Sequence, residues 1–126
     1  MSFVVLGMKA ITVNEAYEQI ITIPGATLTD VPKEDCVKEG MDWGKVIIFM
    51  QANNTTIAQV EKVLAEITEP EVLNINAQDS KQILGYASKQ NNGRTRALIY
   101  VSMPDYRVVV FYAQGDDDII SDIKID

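Results

Sequence analysis

"RTRALIYVSMPDYRVVVFYAQG", residues 94–115, decides the fold. Two runs rich in β-branched and aromatic residues flank Pro104-Asp105, a pair that favours a turn because proline presets φ and aspartate bonds nearby backbone. The stretch therefore reads as a β-hairpin. If Met103 opposes Tyr106, one face carries Ala97, Ile99, Val101, Met103, Tyr106, Val108, Val110 and Tyr112, all apolar or aromatic. The other carries Arg96, Leu98, Tyr100, Ser102, Arg107, Val109, Phe111 and Ala113. A one-residue change in the turn exchanges these sets relative to each other, because side chains alternate along a strand with a period of two.

Upstream of the hairpin, helices and strands interleave. Thr12-Val13-Asn14-Glu15 is a capping box, followed by Ala16, Tyr17, Ile20 and Ile21 at helical spacing and by Pro24-Gly25 as a stop. "ATLTDV" (26–31) reads as a short strand, and "PKEDCVKEG" as a two-turn helix between a proline and Gly40. "KVIIFMQ" (45–51) is apolar on both faces and suits a central strand, with Trp43 in a preceding loop folding back on the core. Thr55 or Thr56 caps a helix with Ile57, Val60, Val63, Leu64 and Ile67 on one face. "EVLNINA" (71–77) reads as a strand. Asp79 or Ser80 then opens a further helix carrying Ile83, Leu84 and Ala87, closed by "NNG" at 91–93.

The hairpin rules out a purely parallel sheet. The expected class is α+β: a single layer of four or five mostly antiparallel strands with helices packed on one face. No linker or repeat divides the chain, so residues 11–126 read as one domain. The opening "SFVVLGMKA" (2–10) has two readings. It is the end of an export signal, with Gly7 or Ala10 before the cut, or a first strand packing Phe3, Val4, Val5 and Leu6 on the core.

Composition narrows the chemistry. A net charge of −7 over 126 residues argues against nucleic acid and against anionic lipid surfaces, both of which select basic proteins. No apolar run approaches the ~20 residues of a membrane-spanning helix. The single cysteine, Cys36, has no internal disulfide partner and reads as a small buried hydrophobe. With no histidine, the chain lacks the usual general base near neutral pH and the commonest transition-metal ligand. Neither a serine elbow nor a glycine-rich phosphate loop occurs, so no cofactor and no catalytic set is expected. "GDDDIISD" (115–122) lacks the ligand spacing of a calcium loop and reads as an acidic helix start.

Two groups remain as candidate binding residues. Tyr100 and Phe111, on one face of the hairpin, form an apolar patch if helices cover only the other face; either the chain itself buries it, as with the N-terminal arm, or another molecule covers it. Lys89, Arg94 and Arg96 precede the hairpin, and Arg107 returns beside Ser102. They read either as a dock for an anion or carboxylate, or as solvated charge protecting an edge strand from pairing.

Three stretches carry a resemblance: "NEAYEQIITIPGATLTDV", "RALIYVSMPDYRVVVFYAQGD" and the acidic "GDDDIISDI". Their order resembles that of small exported proteins of unknown function from Bacteroides-type gut bacteria, over most of the chain but not residues 32–44. The resemblance implies a periplasmic or outer-envelope location and brings no catalytic residue with it. The expected function is a small, non-catalytic exported binding domain. It contacts a protein or peptide, or itself, through Tyr100, Phe111, Arg96 and Arg107. The alternatives are a carboxylate-dependent hydrolase acting on a sugar-like substrate, and a cytosolic accessory subunit with a native N-terminus.

Overall fold

A computed structural model describes residues 10–68, 71–73, 82–103 and 107–116. Helix α1 (Val13–Ile20) starts as its capping box requires. Glu15 N donates to Thr12 Oγ1 at 3.1 Å, and Thr12 N donates to Glu15 Oε1 at 3.1 Å. Two amides with no helical partner are thereby satisfied. Val13, Ala16, Tyr17 and Ile20 form its buried face. Thr12→Ala is expected to lower unfolding stability by about 1 kcal/mol in a urea titration, and Thr12→Ser to restore it.

Strand β1 (Thr27–Asp30) leads through Val31 and Pro32 into α2 (Lys33–Glu39). That helix ends at Gly40, whose φ of 77° lies in the left-handed region where a side chain is disfavoured. Cys36 is buried on its inner side. Strand β2 (Met41–Phe49) begins earlier than expected, with a bulge between Met41 and Trp43, so Trp43 is a strand residue and not a loop residue. Helix α3 (Asn54–Ala65) is capped by Asn53, whose Oδ1 accepts from Thr56 N at 2.8 Å. The cap therefore precedes Thr55 and Thr56; asparagine is as strong a cap as any residue.

Four further strands complete the sheet: β3 (Glu71–Leu73), β4 (Gln82–Lys89), β5 (Thr95–Ser102) and β6 (Val108–Gly115). The order is β1-β2-β6-β5-β4-β3, with every pair antiparallel. The α+β class stands, with one strand more than expected. That extra strand is β4, where a further helix was expected over Ile83, Leu84 and Ala87. Those residues fit helical spacing, but eight consecutive positions from Gln82 to Lys89 pair with β5. "NNG" is the hairpin turn between them and not a helix cap: Gln90 N donates to Arg94 O at 2.7 Å, and Gly93 has φ 81°. The start expected at Asp79 or Ser80, and residues 74–77 of the expected third strand, lie outside the described residues.

The register corrects the faces of the 94–115 hairpin. Ser102 pairs with Val108, and Met103 N donates to Arg107 O at 2.9 Å, so Met103 opposes Arg107 and not Tyr106. The shift of one residue exchanges the two sets on β6. One face now carries Leu98, Tyr100, Val108, Val110 and Tyr112 beside Ile47 and Phe49 of β2. These pack with Ala16, Tyr17 and Ile20 of α1 and Val60 and Leu64 of α3 as one core. The opposite face carries Ala97, Ile99, Val101, Val109, Phe111 and Ala113. Of these, Ala97, Ile99, Val101 and Ala113 are buried within the chain. Val31, leading into α2, closes on this face at Gly44.

Candidate binding site

The helix-covered face ends in a polar row. Trp43 of β2, Gln114 of β6, Arg96 of β5 and Ser88 of β4 are successive cross-strand neighbours. One row inward, Tyr112 is the hub of an aromatic group. Tyr17 stacks on it with ring centres 4.4 Å apart and 21° between planes, and Trp43 meets it edge-on at 5.1 Å. Such pairs stabilise beyond the area they bury.

Hydrogen bonds tie this group to the start of α1 and to the β4–β5 turn. The Tyr112 hydroxyl donates to Asn14 Oδ1 and accepts from Arg96 Nη1 at 3.3 Å. Asn14 Nδ2 reaches Gln90 Oε1 at 3.4 Å. Arg96 Nε donates to Gln114 Oε1 at 2.9 Å, and the guanidinium carbon lies 5.2 Å from the Trp43 ring centre. Gln114 in turn donates through Nε2 to Asp42 Oδ2 at 2.9 Å.

Two arginines in this cluster differ in their electrostatics. Arg94 grips Asp42 with two bonds, of 2.8 and 2.6 Å, and reaches Asp116 at 3.0 Å. The Arg94 bonds, with help from Gln114, hold the Asp42 carboxyl below the usual aspartate range. Burial pushes the Tyr112 phenol up, so it stays protonated beside Arg96. Among the described residues Arg96 has only neutral partners: an amide oxygen, a phenol and an indole face.

The four residues expected to form a binding surface do not converge. Tyr100 is fully buried against the helices, with its hydroxyl 3.2 Å from Glu61 Oε2. Phe111 is half-buried on the opposite face, cross-strand from Ile99. Arg107 is exposed at the hairpin end, the far end of β5 from Arg96, and opposes Met103 where Ser102 was expected. Arg96 alone lies in the polar cluster. It guards no edge, because β5 runs between β4 and β6. Tyr112, Gln114, Asp42 and Asn14 were missed as site residues by the sequence reading, and Trp43 was weighed only as a loop residue packing on the core or stacking on a ligand. The alternation Trp43, Lys45, Ile47, Phe49 places Trp43 on the core face once β2 is extended back to Met41. Asn14, 98 positions from Tyr112, leaves no such trace.

A second feature lies at β1, an edge strand among the described residues. Val31 N donates to the opposing Gly44 O at 2.9 Å, which sets the phase of the β1–β2 ladder. In antiparallel pairing, hydrogen-bonded positions alternate. Thr29 and Thr27 therefore bond β2, and the N–H and C=O groups of Leu28 and Asp30 point outward. Leu28 is 46% exposed and Met50 60%, among the few large apolar side chains left open. Pro24, Gly25, Thr27, Phe49, Met50 and Thr56 line a cleft of about 230 Å³ at the start of β1.

Among the described residues, no group of His, Cys, Asp or Glu is placed to hold a metal ion, and no helix is long and apolar enough to cross a membrane. The acidic stretch 117–122 and residues 2–9 of the opening segment lie outside the described residues. No family model, curated protein or solved structure matches the chain.

Proposed function

We propose that the chain is a non-catalytic binding domain that takes a protein or peptide partner as an added strand along β1. What carries the reading is the edge left unpaired among the described residues: main-chain donors and acceptors at Leu28 and Asp30 aimed away from β2, beside an exposed leucine. An extended peptide pairs with such an edge through its own backbone and gains selectivity from alternate side chains. The cleft at Phe49 and Met50 is where an apolar side chain of that peptide would insert. An exported location belongs to the same proposal and rests on the apolar stretch 2–10 and the resemblance described above.

The test uses peptides selected by the intact protein from a random display library. On binding, the amides of Leu28 and Asp30 are expected to gain protection from hydrogen exchange, while Thr27 and Thr29 change little. Leu28→Pro removes an outward N–H and leaves the β1–β2 ladder in place. It is expected to weaken the selected peptides at least about tenfold, the scale of losing hydrogen bonds at a desolvated edge, with stability altered little. Peptides that bind Leu28→Pro as well as the parent protein, or protection appearing elsewhere, would refute strand addition.

A further inference from the structure

We infer that Arg96 anchors a second, separate site, one that binds a carboxylate carried on an apolar or aromatic body. The inference does not depend on strand addition at β1.

Its first support is an imbalance of charge. The chain has 18 acidic and 11 basic residues, so a basic side chain in this protein has acids to choose from. Arg94, two residues away, pairs with two carboxylates, Asp42 and Asp116. Arg96 forms no ion pair among the described residues. It is half-buried, so water compensates its charge only in part. Two hydrogen bonds, to Gln114 and Tyr112, leave three of its five N–H groups without a protein acceptor among the described residues.

The second support is that the guanidinium is held rigidly. Gln114 must turn its amide nitrogen to Asp42, which aims its oxygen at Arg96 Nε. Asp42 is itself fixed by two bonds from Arg94. Trp43 backs the guanidinium and the Tyr112 hydroxyl steadies one Nη. A planar fork fixed in this way loses little freedom when a ligand pairs with it. An arginine whose task was merely to cover the sheet end would not need this chain of support.

The ligand class follows from the same groups. One fork matches one carboxylate by two parallel N–H···O bonds. A dianionic phosphate fits less well, because the protein's net charge of −7 and the adjacent Asp42 oppose a second negative charge. The half-exposed Trp43 ring supplies an apolar wall beside the fork, which suits a carboxylate with an apolar body.

Phenylacetate is a suitable probe, with phenylacetamide and inorganic phosphate as controls. Trp43 is the only tryptophan, so its fluorescence reports this site alone. The Arg96 Nε–H resonance reports the fork directly. Phenylacetate is expected to give a saturable shift in both signals, phenylacetamide none, and phosphate a markedly weaker one. Arg96→Gln, if folded by circular dichroism, is expected to weaken phenylacetate at least about tenfold, and Leu28→Pro to leave it unchanged. If Arg96→Gln does not fold, Arg96→Lys keeps the charge without the fork and is expected to weaken binding in the same direction. Equal responses to phenylacetamide or phosphate, no saturable response in the parent protein, or undiminished binding by a folded Arg96 variant would each overturn the site.

Discussion

Replacing Tyr100 by alanine is expected to lower the free energy of unfolding by about 3–5 kcal/mol, the range for truncating a large buried aromatic side chain. Tyr100 has no exposed surface and sits among Leu98, Val108, Val110 and Tyr112 beneath α1 and α3. Truncation removes the ring contacts and leaves a space that the helices cannot fully close. It also strips the partner from Glu61 Oε2. Against a total stability of about 5–15 kcal/mol for a natural domain, this is enough to unfold a large share of the molecules under mild urea. Tyr100→Phe keeps the ring and is expected to cost about 0.5–1.5 kcal/mol, the worth of one hydrogen bond. Phe111→Ala, on the half-buried opposite face, is expected to cost less than Tyr100→Ala. Urea titrations of the three variants decide the register: if Phe111 proves the costlier truncation, the faces of the hairpin are exchanged.

Gly44 is the site of the second large effect. A Cβ at this position would lie 2.9 Å from Val31 Cγ2 and 3.3 Å from Val31 Cβ, with Phe111 Cζ at 3.7 Å. Valine is branched at Cβ and stiff about χ1, so it cannot swing aside as a long side chain would. The backbone on either side is committed, by the β1–β2 ladder and by the start of α2. Gly44→Ala is therefore expected to destabilise by about 1–3 kcal/mol through overpacking. Val31→Ala vacates the space and is expected to recover most of that loss in the double variant, with a coupling of about 1 kcal/mol or more in the cycle. Additive costs in the double variant would show that Val31 does not close on the sheet at Gly44.

Both variants probe features that the sequence left open in the same way. The hairpin at 94–115 was legible as two strands, and Tyr100 was legible as an aromatic that needs cover. Which face it joined depended on whether Met103 opposed Tyr106 or Arg107. That single step moves Phe111 from beside Tyr100 to the other side of the sheet and places Val108, Val110 and Tyr112 on the face of Tyr100. The same step scattered the proposed binding set. Arg96 was singled out from sequence, but its company was not. Trp43 and Gln114 meet it, and Asn14 meets the Tyr112 hydroxyl beside it, only because β2, β6 and the start of α1 converge at one end of the sheet.

The elements that sequence alone determined are those governed by neighbours a few residues away. The capping box of α1, the span of α2 between Pro32 and Gly40, and the β character of residues 45–49 and 95–113 all follow from local sterics and hydrogen bonding. The elements that tertiary structure decided are those in which two local answers were nearly equal. Residues 82–89 carry apolar spacing compatible with helix or strand, and the exposed edge of β5 selected strand by offering eight residues of pairing. The hairpin register and the polar cluster around Arg96 were settled likewise, because a period-two face and a contact across 98 positions exist only once the strands have chosen their partners.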